Sequence, residues 1–239
     1  MEIESIIELA EGLATEHRGK SGGGDPFVAF EDYEVIVAEA NFGNAFEGLL
    51  RFKDDEFQVF VNSGCDADPR THGRKNFTVA HEFGHYSIPI HRRSIKSGEG
   101  LHKDISGFTS KVPMEREADI FASHFLMPTL ELSKQFRSAS WGAREILDAA
   151  QYFGTSITSA ALRCQSALDG HSSLILWGPQ YVRWQRMNND WWFQLPAKSI
   201  RNSNQLAKGS ATELLISGGH VPESGYVQRG TTRSAWFPR

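Results

Sequence analysis

Two histidines four residues apart, with a glutamate directly after the first, most constrain how this 239-residue chain can fold. His81 and His85 share one face only if their segment is helical, and both imidazoles can then meet one metal ion. Glu82 would lie beside that metal. The spacing is the HExxH pattern of zinc hydrolases, but it fixes only three residues. It therefore needs a helix around it and a third ligand from another segment.

The sequence around this motif predicts the helix. Asn76 is a suitable N-cap after the polar loop of residues 65–75. Gly84 costs about 1 kcal/mol against alanine in a helix, so its place between the histidines predicts tight packing or close approach of another segment. Pro89 predicts that the helix ends near residues 88–90.

A second helix is predicted over residues 113–128, because proline suits its first turn and apolar residues recur with helical spacing until Pro128. This helix would carry Glu115 and, one turn later, Asp119. The pair could supply a third zinc ligand and a carboxylate that orients a ligating histidine. Glu117 is the alternative ligand, and the helical period favours Glu115 without excluding it.

Upstream of the motif, period-two alternation predicts strands over residues 27–38 and 48–62. An Asp-Asp pair at 54–55 divides the second stretch into a hairpin with strands at 49–52 and 57–61. A small antiparallel sheet should therefore precede the metal-binding helix.

The N-terminal residues 3–17 have amphipathic helical spacing, and the glycine-rich residues 19–26 predict a flexible connection. The N-terminus lacks a secretory signal, and no apolar run approaches the roughly 20 residues that cross a bilayer. With 40% hydrophobic and 23% charged residues, the composition is that of a soluble globular protein. We therefore expect a cytoplasmic protein with no membrane contact.

Residues 91–112 form a basic, glycine-containing connection, long enough for a mobile loop over a cleft. His91 and His102 flank it and could stabilise an oxyanion, although solvated loop histidines are the plainer expectation. Cys65 and Cys164 have no CxxC partner, which favours reduced thiols over a disulfide. A zinc–thiolate bond from Cys65 in a latent state is the less favoured alternative.

Residues 142–168 predict two short helices divided at Gly154. Their spacing is that of a helix-turn-helix, but the segment has few Lys and Arg residues for phosphate contacts. A helical cap on a catalytic domain is therefore favoured over DNA binding. These residues would complete a domain spanning residues 1–170.

A β-rich segment over residues 171–239 should follow, with strands at 174–177, 181–184 and 191–195. From residue 174 onward, eight Lys and Arg stand against three Asp and Glu. Basic residues among tryptophans could bind single-stranded nucleic acid, but a small sheet core with a solvated basic face is favoured. The chain ends without an evident terminal element, so the protein could continue beyond it.

Residues 77–85 (FTVAHEFGH) together with residues 115–128 (EREADIFASHFLMP) resemble the ImmA/IrrE family of metallopeptidases. The second stretch is similar to the family pattern E-x-(E/Q)-A-(N/D)-x-F-A-x-x-L-L-M-P, with Phe125 where leucine is usual. The resemblance covers about residues 57–168. It implies a gluzincin-like zinc peptidase core in which Glu115 takes the third-ligand position. It also implies a protein substrate, often a DNA-binding helix-turn-helix repressor whose cleavage induces a mobile element or a stress response.

The sequence thus predicts an α+β fold: a zincin-like core of a small antiparallel sheet and active-site helices, then a helical segment and the β-rich segment. In the hypothesis for its chemistry, His81, His85 and Glu115 bind Zn²⁺ and leave a fourth position for water. Glu82 is the general base, and Asp119 orients one of the histidines. The rival hypothesis is a regulator that keeps this core but acts by binding DNA or a transcription factor. The oligomeric state stays open.

Overall fold

The computed structural model describes residues 1–66, 73–98, 113–136, 143–167, 173–177 and 182–187. Within these ranges the chain has a mixed α+β fold, as predicted, with eight helices and a three-stranded sheet. Two compact units are formed, Met1–Arg137 with Asp148–Arg163, and Ser138–Leu147 with Cys164–Arg239. All the residues predicted for the metal site belong to the first unit. A domain boundary at residue 170 stays a prediction.

The chain begins with two helices, α1 (Ile3–Glu16) and α2 (Pro26–Asp32). The first confirms the amphipathic spacing. The second shows that the strand predicted over residues 27–38 is wrong in its first half. The Asp25 side chain caps α2 by accepting hydrogen bonds from two backbone N–H groups, at 3.0 and 3.3 Å. With a proline in the first turn as well, these helix-starting signals outweigh the period-two alternation.

The sheet contains β1 (Ile36–Ala40), β2 (Gly48–Lys53) and β3 (Glu56–Asn62), in the order β1-β3-β2. The predicted hairpin is confirmed, and both turn residues, Asp54 and Asp55, have positive φ values of 53° and 64°. β2 and β3 are antiparallel, but β1 runs parallel to β3. The predicted purely antiparallel sheet is therefore wrong, because alternation identifies strands without specifying their neighbours.

The residues that connect β1 to the edge strand β2 are held by the buried side chain of Asn62. Its Nδ2 donates to the carbonyl oxygens of Gly43 and Phe46, both at 2.7 Å. Its Oδ1 accepts from the backbone N–H of Phe42 at 3.0 Å. The start of β2 is thereby fixed beside the helix that carries the two histidines.

That helix, α3 (Arg74–Ser87), ends where Pro89 predicts, but Asn76 is not its N-cap. Gly73, with a φ of 85°, precedes the first turn. Asn76 lies inside that turn, and its Nδ2 donates to the carbonyl oxygen of Gly154 at 3.1 Å. The side chain therefore serves a tertiary contact instead of a cap.

A helix not foreseen from the sequence, α4 (Pro89–Ser97), follows at once. The prediction that residues 91–112 are a connecting loop is therefore wrong for residues 91–97. Pro89, which ends α3, also occupies the first turn of α4, a position that proline favours. Residues 99–112 lie outside the described ranges.

The helical part continues with α5 (Pro113–Leu126), α6 (Thr129–Gln135), α7 (Ala143–Phe153) and α8 (Ile157–Ala167). The predicted second helix and the division at Gly154, which has a φ of 60°, are confirmed. α5 packs against both α3 and α1. This packing is what brings the two predicted halves of the metal site together.

In the second unit, β4 (Ser173–Trp177) and β5 (Val182–Met187) form an antiparallel pair. The strand predicted at residues 191–195 lies outside the described part of the chain. Among the residues that the structure describes, no helix combines the length and apolar character needed to span a membrane.

Candidate metal centre

The central turns of α3 lie inside the protein. His81, Glu82 and His85 are 2%, 1% and 1% exposed. The polar stripe that these three residues form on the helix therefore faces inward. Because buried polar groups are costly unless they are paired, such a stripe requires polar partners from a neighbouring element.

The absence of a side chain at Gly84 allows α5 to approach α3 closely. A Cβ atom placed on Gly84 would lie 3.1 Å from Cδ1 of Phe121, which is fully buried on α5. Phe121 in turn contacts Phe83 and stacks with Phe125. The close packing predicted from this glycine is confirmed, and it places the start of α5 opposite the histidines.

Three side chains converge there from the two helices. Nε2 of His81 lies 3.1 Å from Nε2 of His85 and 3.1 Å from Oε2 of Glu115. Oε1 of Glu115 lies 3.6 Å from Nε2 of His85. One ligand atom from each residue can be chosen so that all lie within 4.8 Å of one another. Two imidazole nitrogens and a carboxylate thus point at one small volume.

These separations fit a metal ion. Ligand atoms bound tetrahedrally at about 2.0–2.1 Å from zinc lie about 3.3 Å apart. The three pairs of atoms are separated by 3.1, 3.1 and 3.6 Å. Two imidazoles and one carboxylate are also the donor set of hydrolytic zinc sites, which keep a fourth position open. His81, His85 and Glu115 could therefore hold such an ion.

The protonation states of both histidines suit ligands. Nδ1 of His81 lies 3.0 Å from Oδ1 of Asp119, and the tautomer that donates this hydrogen bond keeps a lone pair on Nε2 toward the cluster. Burial lowers the pKa of His85 to about 3, against the raising effect of the Glu115 carboxylate. His85 is therefore neutral at pH 7, and neutral imidazole is the form that binds metals.

Glu82 directs its carboxylate toward the edge strand β2. A Cβ atom on Gly48, the first residue of that strand, would lie 2.5 Å from Oε1 of Glu82. The same Cβ would lie 2.6 Å from Cγ2 of Thr78, so a side chain here would displace the Glu82 carboxylate or Thr78. Gly48 is therefore a site residue that the sequence did not reveal, because a glycine at the start of a strand is usually a turn residue.

Glu117, the alternative ligand, contacts a different histidine. Its Oε2 accepts a hydrogen bond from Nε2 of His91 at 2.9 Å, and its Oε1 lies 3.2 Å from the amino group of Met1. His91 is fully buried on α4, and its ring centroid is 5.0 Å from that of His85. The expectation of a solvated loop histidine is therefore wrong for His91. Recognition of Pro89 as the start of a helix would have placed it inside the fold.

Two further predicted candidates cannot be placed. His102 lies outside the described residues, as does the side chain of Cys65. The described part of the chain thus brings together His81, His85, Glu115 and Asp119 on two packed helices, and Glu82 follows His81 on the first of them.

A metal-binding-capable cluster built on an HExxH helix in an α+β fold defines a metallopeptidase-like domain. Residues 31–165 match the family model of the IrrE N-terminal-like domain, a family of peptidases. Because the match covers more than half of the chain, the protein belongs to this family, and the resemblance seen in the sequence is confirmed. No curated protein matches the chain.

Proposed function

We propose that the protein is a zinc-dependent endopeptidase that cleaves a protein substrate, a DNA-binding transcriptional repressor. The observation that carries the proposal is the convergence of the His81, His85 and Glu115 ligand atoms at 3.1–3.6 Å. Membership of a peptidase family supports the reaction type. The repressor substrate, and a resulting mobile-element or stress response, rest on the resemblance to ImmA/IrrE proteins.

When bound at these ligands, zinc would act as a Lewis acid that activates water and polarises the scissile carbonyl. Glu82 would accept the proton of the attacking water and later transfer it to the leaving amine. Asp119 would keep Nε2 of His81 unprotonated by accepting the hydrogen bond from Nδ1. The burial of the histidines limits competing water, which strengthens electrostatic interactions within the site.

Substitution of Glu82 by Gln tests this assignment. We expect the variant to bind one zinc per chain, as wild type does, and to cleave at least about 100-fold more slowly, because general acid–base catalysis contributes that much or more. Zinc is measured by elemental analysis and cleavage with the helix-turn-helix repressors encoded beside the gene. Glu31→Gln, an exposed change of the same type on α2, should have no effect.

The outcomes separate the candidate functions. Unchanged cleavage by Glu82→Gln would contradict the mechanism, and a wild-type protein that takes up no zinc would contradict the metal site. Retention of the cellular function by Glu82→Gln would favour the rival regulator that acts by binding alone.

A further inference from the structure

The exposed side of α4 is a basic surface on an acidic part of the protein. α4 contains Arg92, Arg93 and Lys96 and no acidic residue, and these three residues are here called the α4 basic surface. Residues 1–90 contain seven Lys and Arg against 17 Asp and Glu, a net charge of −10. Within the described ranges, none of the three cations forms an ion pair with a carboxylate. Within this described part of the chain, no carboxylate neutralises their charge.

Aromatic rings hold two of these cations in place. The guanidinium carbon of Arg92 lies 4.4 Å from the ring centroid of Tyr86, and its Nη2 donates to the Tyr86 hydroxyl at 3.3 Å. Nζ of Lys96 lies 4.8 Å from the ring centroid of Phe52 on β2. Such contacts position a cation without neutralising it, because the ring carries no net charge. An arriving anion therefore meets partly ordered cations, which lowers the entropic cost of binding.

The surface borders an open cavity on the solvent side of α4. The cavity has a volume of about 390 Å³ and is lined by Ser87, Pro89 and the three cations. Ser87 follows His85 by two residues on α3, so the two side chains face different sides of that helix. On the same helix as the cations, the buried His91 ring contacts the His85 ring at 5.0 Å. One side of α4 thus adjoins the site, and the other presents positive charge to solvent.

We propose that the α4 basic surface binds an acidic segment of the protein substrate outside the cleavage site, an inference that rests on the proposed peptidase function. Three closely spaced cations match a short run of Asp or Glu side chains. Nucleic acid fits less well, because binding to phosphates increases with the number of cationic contacts, and the net charge of −10 over residues 1–90 repels a polyanion. The surface would add affinity without entering the chemistry.

The test measures binding without turnover. Fluorescein-labelled hexaglutamate is titrated with full-length Glu82→Gln protein, and its fluorescence anisotropy is followed. We expect hexaglutamate to bind more tightly than hexaserine and to weaken as salt is added. The double variant Arg93→Ala/Lys96→Ala should weaken binding about fivefold or more, as the loss of two exposed ion pairs implies. The control Lys20→Ala/Lys134→Ala removes the same charge from exposed lysines elsewhere and should leave the affinity unchanged.

Equal weakening by both double variants, or equal binding of hexaglutamate and hexaserine, would overturn the proposal. Tighter binding of a labelled oligothymidylate with the same charge would identify nucleic acid, and not an acidic peptide, as the ligand of this surface. With a repressor that wild type cleaves, Arg93→Ala/Lys96→Ala should raise KM about fivefold and leave kcat unchanged. Failure of wild type to cleave any substrate speaks against the peptidase function, whereas failure of Glu82→Gln protein, whose α4 basic surface is intact, to bind hexaglutamate speaks against the surface.

Discussion

His81 makes a different contact with each of its ring nitrogens. Nδ1 donates to Asp119, and Nε2 meets His85 and Glu115. A single carboxylate thereby determines which nitrogen faces the cluster. The sequence predicts that Asp119 orients one of the two histidines. It could not specify which one, because that depends on the rotation of α5 about its own axis.

The helical period favours Glu115 over Glu117 as the third ligand, but it could not exclude Glu117 for a related reason. Each carboxylate meets a histidine, Glu115 at the cluster and Glu117 at His91 on α4. The helix that carries His91 was not foreseen. The second carboxylate therefore had no evident role except that of a rival ligand.

Alanine substitutions should separate the two glutamates. Glu115→Ala should lower zinc affinity by at least about 100-fold, since even carboxylates that only support metal ligands are worth about 10–100-fold. Glu117→Ala should lower it by at most about tenfold, because it removes only the support of His91 beside His85. Affinity is measured by competition with a chromophoric chelator. A larger loss in Glu117→Ala than in Glu115→Ala would reverse the assignment of the third ligand.

At the scale of elements, two of the errors share a cause. Pro26 and Pro89 each begin a helix, whereas the sequence patterns around them predict a strand and a loop. Proline is easily interpreted as the end of a preceding segment, although it also suits the first turn of the next helix. Elements with long periodic patterns, such as α1, the β2–β3 hairpin and α5, are predicted correctly because their signals extend over many residues.

The packing of α3 against α5 gives a test that compares two glycines within helices. Gly12→Ala in α1 adds a Cβ with no atom within 4 Å and should raise the free energy of unfolding by about 0.5–1 kcal/mol through helix propensity. Gly84→Ala gains the same propensity but places its Cβ 3.1 Å from the fully buried Phe121. Because overpacking costs about 1–3 kcal/mol, we expect a net loss of about 1 kcal/mol. Urea unfolding measures the stability of both variants. Equal stabilisation of the two would show that α5 can move to accommodate the added Cβ without loss of stability.

At the scale of the whole first unit, a polar cluster joins elements that are far apart in sequence. Oε1 of Glu11 on α1 accepts hydrogen bonds from Nδ1 of His124 and from the backbone N–H of Thr129, at 2.9 and 3.0 Å. The buried Arg163 donates from Nη2 to the Thr129 hydroxyl at 2.7 Å. Local periodicity contains no information on partners more than 100 residues apart, so this cluster could not be predicted.

The cluster makes stability depend on pH, and both of its titrating groups act in the same direction. Burial raises the pKa of Glu11, but hydrogen bonds from His124 and Thr129 outweigh this effect, and the pKa falls to about 2. Burial also lowers the pKa of His124, although the Glu11 carboxylate opposes this. In each case the unfolded chain binds a proton at a higher pH than the folded chain does. Acidification therefore favours unfolding, below about pH 6.5 through His124 and below about pH 4.5 through Glu11.

Glu11→Gln should separate the contribution of the Glu11 carboxylate to stability from that of His124. At pH 7 the variant loses a charged acceptor of several hydrogen bonds, which we expect to lower the free energy of unfolding by about 1 kcal/mol, because the 24% exposure of the side chain favours the low end of the usual range. The contribution is complete while the carboxylate is ionised in both states and is lost as the unfolded chain takes up the proton, so the deficit should shrink as the pH falls from 4.5 toward 2. Glu8→Gln, an exposed change on the same helix, should show no deficit at any pH. Urea unfolding at several pH values measures the free energy of unfolding of both variants. If the loss in Glu11→Gln stays constant down to pH 3, the ionised carboxylate contributes nothing to joining α1 and α5.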